Sequence, residues 1–154
     1  MSIILREITE ENWVECILLT TNKDNRHSVF EEFVASNALS IAQSKIERDW
    51  TIKSIFNDEK MVGFTMYGFN HKENYYELCR LMIDHNFQGK GFGKNALQLV
   101  LDEMITKLKC KRIHLSFEPE NKIAKCLYES FGFKDTGRVI SHIDEELIYC
   151  LEIK

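Results

Sequence analysis

The sequence has little of what usually separates domains. Its one proline is Pro119, and no stretch is rich in glycine and serine, so no linker is indicated. No internal repeat or low-complexity segment divides the 154 residues either. A chain of this length is typical of one domain, and we expect a single domain over residues 1–154.

Paired cysteines are also lacking. The five cysteines form no C-x-x-C pair, and their number is odd. This favours free thiols in a reducing compartment over a disulfide framework or a zinc site. The five histidines show no ligand spacing, so we expect no metal. The cysteines are Cys16, Cys79, Cys110, Cys126 and Cys150.

Long hydrophobic runs are absent as well. No apolar run approaches the ~20 residues that a membrane-spanning helix needs. The first residues, MSIILREITEENW, lack the basic segment followed by a long apolar one that is typical of a signal peptide. With 44% hydrophobic and 29% charged residues, the composition indicates a globular domain. We therefore expect a cytoplasmic protein with no membrane partner.

Excess positive charge is missing too. The formal net charge is −4 at pH 7, and no basic stripe appears, which disfavours nucleic acid as a partner. The acidity is concentrated near the start, where residues 7–49 hold nine acidic and four basic side chains. Solvated helix faces account for many such segments, and attraction of a cationic ligand is the alternative.

The sequence does contain a clear alternation of strand-like and helical segments. SIILREI is predicted as a strand, TEENWVECILLT as a helix capped by Thr9, and one or two helices are expected from Ser28 to about Ser44. Three strands follow, WTIKSIFND, MVGFTMYGF and YYELCRLMID, with the four residues NDEK as a hairpin turn. A helix from about Gly93 to Leu108, the strand RIHLSF, the helix NKIAKCLYESF and the strands GFKDTGRVI and EELIYCLEI complete the chain.

The order of these segments predicts the fold class. Residues 77–117 form a strand–helix–strand unit, which implies a parallel pair of strands with a right-handed crossover. Short connections elsewhere favour antiparallel pairing. We therefore expect an α+β fold with a mixed, mostly antiparallel central sheet and flanking helices.

A glycine cluster in FQGKGFGKNALQLVL stands just where a helix begins. It does not fit the mononucleotide pattern G-x-x-x-x-G-K-[ST], because Gln88 occupies the first glycine position and Asn95 follows Lys94. The dinucleotide pattern G-x-G-x-x-G fails as well. Glycines let a backbone approach a ligand, and the first N–H groups of a helix can bind phosphate oxygens. A glycine-rich turn that only caps the helix is the alternative.

Two motifs carry a resemblance to a known family. Gln88, Gly91 and Gly93 match [QR]-x-x-G-x-[GA], which resembles the pyrophosphate loop of the GNAT N-acetyltransferases. NKIAKCLYESFGF resembles that family's N-x-x-A-x-x-x-Y-x-x-x-G-F motif, from Asn121 to Phe133. The resemblance implies the GNAT fold, acetyl-CoA as co-substrate and no metal. The coenzyme-binding residues that it implies are Leu81, Met82, Ile83, Gln88, Gly89, Lys90, Gly91, Phe92, Gly93, Lys94, Asn121 and Tyr128.

Within the family the chain is similar to small bacterial spermine/spermidine (diamine) N-acetyltransferases, in the stretches MVGFTMYGF, QGKGFGK, CKRIHLSF and NKIAKCLYESFGF. This implies a homodimer that transfers acetyl to a polyamine by direct attack in a ternary complex. In this fold the first two helices line the acceptor side, so the acidic first third agrees with a polycationic acceptor. Other amines (an amino acid, an aminoglycoside or a protein N-terminus) and a non-catalytic acyl-CoA-binding module remain alternatives.

The resemblance also implies catalytic roles. The hydroxyl of Tyr128 would point at the coenzyme sulfur, with a half-buried core tyrosine as the alternative. Backbone N–H groups at a splay in the strand Leu81–Ile83 would polarise the acetyl carbonyl.

A carboxylate is expected to accept the proton of the amine. Related enzymes often have an acidic residue at the position that aligns with Cys79. Glu77, two residues earlier on the same strand face, is our candidate catalytic carboxylate, and a surface charge at a strand edge is the alternative. A nucleophilic Cys79 would need a nearby base, so we expect a core or site-lining thiol instead. Cys79, Glu31 and Glu32 are expected to line the acceptor site, and Glu31 and Glu32 are the other candidates for the carboxylate.

Overall fold

The computed structural model describes residues 2–22, 36–141 and 144–154, and these fold into a seven-stranded sheet with helices on both faces. The strand order is β1-β2-β3-β4-β5-β7-β6. The strands are β1 (Ile3–Arg6), β2 (Trp50–Asn57), β3 (Lys60–Asn70), β4 (Tyr75–Ile83), β5 (Arg112–Phe117), β6 (Lys134–Ser141) and β7 (Glu145–Glu152). The helices are α1 (Trp13–Leu18), α2 (Asn37–Ile46), α3 (Phe92–Leu108) and α4 (Lys122–Ser130), with a 3₁₀ turn at His85–Phe87.

The pairing of the strands confirms the predicted mixed sheet. Strands β4 and β5 are parallel and are joined by α3, as a strand–helix–strand unit requires. The other neighbouring pairs in the described chain are antiparallel. Because β7 lies between β5 and β6, the last strand of the chain is an interior strand of the sheet.

Two local predictions were wrong in detail. Strand β2 continues to Asn57 and β3 starts at Lys60, so the hairpin turn has two residues, not four. Asp58 adopts a left-handed φ of 53° in this turn, which aspartate tolerates better than most residues. Helix α1 begins at Trp13, and Thr9 is not its cap. Instead, the Asn12 side-chain oxygen accepts a hydrogen bond from the Thr9 backbone N–H at 2.8 Å, which orders the turn before the helix.

Helix α2 covers only part of the helical region predicted from Ser28 to about Ser44. Its described helix is Asn37–Ile46, two residues longer at its C-terminal end than expected. The Ser36 hydroxyl caps it by accepting a hydrogen bond from the Leu39 N–H at 2.9 Å. Residues 23–35 lie outside the described part of the chain.

The sheet separates two hydrophobic layers. On the face covered by α3 and α4, here called the α3/α4 face, Leu97, Val100 and Met104 of α3 pack with Ile113 and Leu115 of β5. On the opposite face, here called the α1/α2 face, a second cluster is centred on Cys16, Phe64, Met66 and Met82. Among the described residues no helix is long and apolar enough to cross a membrane.

A β-bulge in β4 disturbs the strict alternation of these faces. Met66 of β3 lies opposite Arg80, whereas Tyr67 lies opposite Leu78, so Cys79 is the extra residue on β4. Cys79 packs against the cluster on the α1/α2 face. Arg80 also reaches that face, where its guanidinium donates to Asn37 Oδ1 and Ser40 Oγ of α2, both at 3.1 Å.

Candidate active site

The parallel strands β4 and β5 separate soon after they meet. In the described ladder, one position is paired, Glu77 with His114. The Asp84 N–H donates to Val62 O of β3 at 2.8 Å, so the backbone of Asp84 faces β3. Because backbone groups alternate along a strand, those of Met82 also face β3, and those of Leu81 and Ile83 face the cleft next to β5.

The glycine cluster forms the turn into α3. Gly89 and Gly91 have φ values of 77° and 82°, a conformation that residues with a Cβ rarely adopt. Apart from the adjacent residues in sequence, no atom in the described part of the chain lies within 4 Å of where a Cβ would be at either glycine, so a ligand can approach the backbone of the turn. Gly91 is the N-cap of α3, and the first N–H groups of a helix have no acceptor inside the helix. The turn therefore presents donors and the positive end of the helix dipole to an anion.

The side chains around this turn have different surroundings. Gln88 Nε2 donates to the Ile83 carbonyl oxygen at 3.0 Å and ties the loop to the end of β4. Phe92 is buried against the sheet, so only its backbone faces the turn. Lys90 lies 5.7 Å from the Phe87 ring centroid, beside a cavity of about 470 Å³ that reaches the β2–β3 turn. Lys94 is exposed and adds positive charge near the helix start.

Tyr128 stands on α4 at the other side of the cleft. Its ring contacts Phe117, the last residue of β5, and Phe133, with centroid distances of 5.6 and 5.8 Å. Gly132, with φ of 97°, ends the helix, and the Phe133 N–H donates to the Tyr128 carbonyl at 3.1 Å. Burial raises the pKa of Tyr128 to about 12, so its hydroxyl is protonated at neutral pH.

Asn121 is the N-cap of α4. Its Oδ1 accepts a hydrogen bond from the Ala124 N–H at 3.0 Å, which leaves the amide Nδ2 as the group that can reach a ligand. Asn121 and Tyr128 belong to the start and the last part of the same short helix. The motif therefore sets both the N-cap of α4, through Asn121, and the position of the Tyr128 ring on the helix.

The α1/α2 face of the cleft holds the thiol and the carboxylate that the sequence singled out. Glu77 Oε2 accepts a hydrogen bond from Asn70 Nδ2 at 2.7 Å, which draws the carboxylate toward β3. Burial, followed by the negative charge of Glu77, raises the pKa of Cys79 far above its ordinary value. The Cys79 thiol is therefore protonated at neutral pH and unsuited to be a nucleophile.

All five cysteines are free thiols, as the sequence predicts. Glu31 and Glu32, the other expected acceptor residues, lie outside the described residues.

The structure adds residues that the sequence did not single out. His114 stacks on Tyr75 with ring centroids 4.0 Å apart, and its buried Nδ1 is without a hydrogen-bond partner in the described structure. Burial lowers the pKa of His114, so the ring is neutral at neutral pH. Glu146 of β7 is buried on the α1/α2 face. Nothing local in the sequence signals either residue, because each reaches the cleft through strand pairing.

Residues 5–133 match the sequence model of the Acetyltransferase (GNAT) family, and the chain belongs to this family. A spermine/spermidine N(1)-acetyltransferase of Bacillus subtilis (strain 168) is 32% identical over 130 residues, which cover 75% of this chain and 86% of that protein. With its fold and its cleft, the chain is an acetyl-CoA-dependent N-acetyltransferase.

Solved structures share the fold. A dodecameric spermidine N-acetyltransferase from Vibrio cholerae has a TM-score of 0.73 and 21% identity, covering 97% of this chain and 93% of that one. The PaiA N-acetyltransferase from Thermoplasma acidophilum, in complex with coenzyme A, has a TM-score of 0.66 and 20% identity, with 99% of both chains covered. These similarities confirm the GNAT fold that the two motifs implied.

Proposed function

We propose that this acetyltransferase acts on a primary amine of a polyamine such as spermidine or spermine, by direct attack on acetyl-CoA in a ternary complex. The observation that carries the proposal is the acidic environment of Cys79. Three carboxylates, those of Glu77, Glu146 and Glu47, lie around this half-buried thiol on β4, β7 and the end of α2, and in the described chain they outnumber the one nearby cation, the Arg80 guanidinium. Such a concentration of negative charge favours a cationic acceptor. The similarity to the Bacillus subtilis enzyme supports the same choice.

The coenzyme is proposed to bind along the opposite side of the cleft. The N–H groups at the start of α3 hold its pyrophosphate, with Lys90 and Lys94 at the rim, and Asn121 contacts the pantetheine arm. The N–H groups of Leu81 and Ile83 donate to the acetyl carbonyl oxygen and stabilise the negative charge that develops there. These donors belong to the backbone, so their positions depend on the separation of β4 from β5.

The transfer requires two protons to leave the acceptor nitrogen. An alkylammonium resembles lysine, with a pKa of about 10.4, so a carboxylate on the α1/α2 face first takes one proton. Glu77 is the candidate that the sequence offers. The free amine then attacks the thioester carbon, the C–N bond forms, and the C–S bond breaks. Tyr128 donates its proton to the departing thiolate and recovers one from the acylated nitrogen, which releases the amide and coenzyme A.

A panel of acceptors tests the proposal. The purified chain is incubated with acetyl-CoA and spermidine, spermine, putrescine, amino acids, an aminoglycoside or a peptide with a free N-terminus, and released thiol is measured. We expect the highest kcat/KM with spermidine or spermine. Turnover of another class alone overturns the polyamine acceptor. Coenzyme binding without turnover of any amine indicates an acyl-CoA-binding module instead.

We further propose that the protein acts in the cytoplasm as a homodimer. The relative from Vibrio cholerae is described as dodecameric, which supports self-association in proteins of this fold. Light scattering after size-exclusion chromatography gives the mass directly. A monomer mass near 18.1 kDa at micromolar concentration would contradict the dimer.

A further inference from the structure

Glu146 is a buried acidic residue to which the mechanism above assigns no proton transfer. It lies on β7, and 9% of its surface is exposed. Its Oε1 accepts a hydrogen bond from the Ser116 hydroxyl of β5 at 3.4 Å. This bond is long for a hydroxyl donor, a length that catalytic hydrogen bonds can have before the substrate binds.

Strand register brings this pair to the cleft. Ser116 lies opposite Ile148 on β7, and Glu146 is two residues from Ile148, so it points to the same face as Ser116. From the parallel pair Glu77–His114, Cys79 and Ser116 are each two residues further along β4 and β5. The negative charge of Glu146 helps raise the pKa of Cys79, so the carboxylate is close enough to act on the bulged residue of β4. Cys79, Ser116 and Glu146 thus all lie on the α1/α2 face.

Ser116 and Glu146 lie on the opposite face of the sheet from Tyr128, the group proposed to protonate the thiolate. Phe117, which contacts Tyr128, faces α4, and Ser116, the residue before it, faces the opposite side of β5. A reacting nitrogen at the cleft would therefore have Tyr128 on one side and Ser116 on the other. Glu77 is less well directed, because its hydrogen bond with Asn70 draws it toward β3 and away from β5.

We propose that Glu146, acting through the Ser116 hydroxyl, is the carboxylate that takes the first proton from the acceptor ammonium. The Ser116 oxygen accepts a proton from the ammonium nitrogen while its own hydroxyl proton passes to Glu146. The nitrogen gains the lone pair that forms the C–N bond, and Glu146 returns the proton to solvent after the product leaves. Glu77 then serves to bind acceptor charge. This inference rests on the proposed function, since it concerns the same reaction.

Other titratable groups on this face could also affect a pH profile. They are Cys79, Glu77 and Arg80 of β4, His114 of β5, Cys150 of β7, and Glu47 at the end of α2. Arg80 is held by Asn37 and Ser40 of α2. The pKa of Cys79 is raised, and that of Cys150 is raised by burial, so both thiols are neutral over the range in which the carboxylate acts.

The test is the pH dependence of kcat/KM for spermidine in the wild type, Glu146→Gln and Glu145→Gln. Glu145 is the matched control, because it is an exposed carboxylate next in sequence. We expect the Glu146→Gln value to be about 100-fold lower than wild type at pH 7.5 and to rise about tenfold per pH unit toward the ammonium pKa of about 10.4. If the substitution only disturbed the structure, the loss of kcat/KM would not become smaller as the pH rises and more of the amine is neutral. Glu145→Gln should follow the wild-type profile.

A second pair of variants keeps the inference testable if Glu146→Gln does not fold. Ser116→Ala should show the same steepened pH profile, and Ser116→Thr, which keeps the hydroxyl, should restore most of the activity. Coenzyme affinity should stay within about twofold in all of these variants.

The outcomes separate the two proposals. Polyamine turnover with a Glu146→Gln profile parallel to wild type, or within threefold of it at pH 7.5, overturns the inference and leaves the proposed function standing. A wild type that ignores polyamines but acetylates another amine overturns the proposed acceptor, and the same variants then test Glu146 with that amine. A wild type inactive toward every amine overturns both.

Discussion

The two sides of the cleft are built in opposite ways. The proposed coenzyme side comes from two short contiguous stretches, residues 81–94 and 121–133, in each of which a turn adjoins a helix. The acceptor side comes from β4, β5, β7 and the end of α2, so its residues are spread over most of the chain. A local motif can define the first side, whereas the second exists only once the strands are paired.

The difference has a physical basis. A loop that binds phosphate needs backbone N–H groups at a helix start and glycines with positive φ, and both requirements are met within a few residues. A site for a cationic amine needs negative charges a few ångströms apart, and any strand or helix can supply them. Substitutions in the loop on the coenzyme side should therefore weaken binding of the coenzyme. Substitutions on the acceptor side should weaken binding of the amine.

The largest effect is expected for Tyr128→Phe. The change removes the proton that the thiolate receives but keeps the ring contacts with Phe117 and Phe133. We expect kcat to fall about 100-fold, while the coenzyme dissociation constant changes less than twofold. Steady-state kinetics and calorimetry measure the two quantities. An unchanged kcat would mean that Tyr128 is only a packing residue.

Gly91→Asp should weaken coenzyme binding about 30-fold. A side chain at φ of 82° is strained by about 1–2 kcal/mol, and its negative charge opposes the pyrophosphate. Gly137→Asp is the matched control, because Gly137 has φ of 78° and equally open surroundings but lies in β6. If both variants bind coenzyme as the wild type does, the loop is not the pyrophosphate site.

A smaller effect is expected for Glu77→Gln. The amide keeps an oxygen for Asn70 but removes one negative charge from the acceptor side. The loss of about 1 kcal/mol of attraction should raise KM for spermidine about fivefold with little change in kcat. Glu59→Gln, at an exposed position of the β2–β3 turn, controls for net charge. A large fall in kcat instead would identify Glu77 as the proton acceptor.

The smallest effect is expected for Gln88→Ala. It removes the hydrogen bond to the Ile83 carbonyl, and one such bond contributes about 1 kcal/mol at most at an exposed site. We expect coenzyme binding to weaken about threefold, with unchanged KM for the amine. Gln98→Ala, on the exposed side of α3, is the control. A change confined to the amine KM would contradict the division of the cleft into two sides.

Much of the fold follows from the sequence. The alternation of strand and helix predicts the parallel β4–β5 pair, and the helix predicted from about Gly93 begins at Phe92. The predictions are wrong at turns and helix starts, where one local sequence is compatible with more than one backbone conformation. The turn at Asp58 is shorter than predicted because both strands gain pairing, and α1 starts after Thr9 because Asn12 orders the preceding turn.

The sequence by itself determined the two motifs that form the proposed coenzyme side. Gly89, Gly91 and Gly132 adopt conformations that few other residues allow, and the free N–H groups at a helix start favour an anion for reasons local to the helix. Only the tertiary structure decided the acceptor side. The bulge turns Cys79 and Arg80 to one face, and the pairing of β5 with β7 brings Ser116 to Glu146. Strand register is set by packing of the whole sheet, and a one-residue shift would point these side chains the other way.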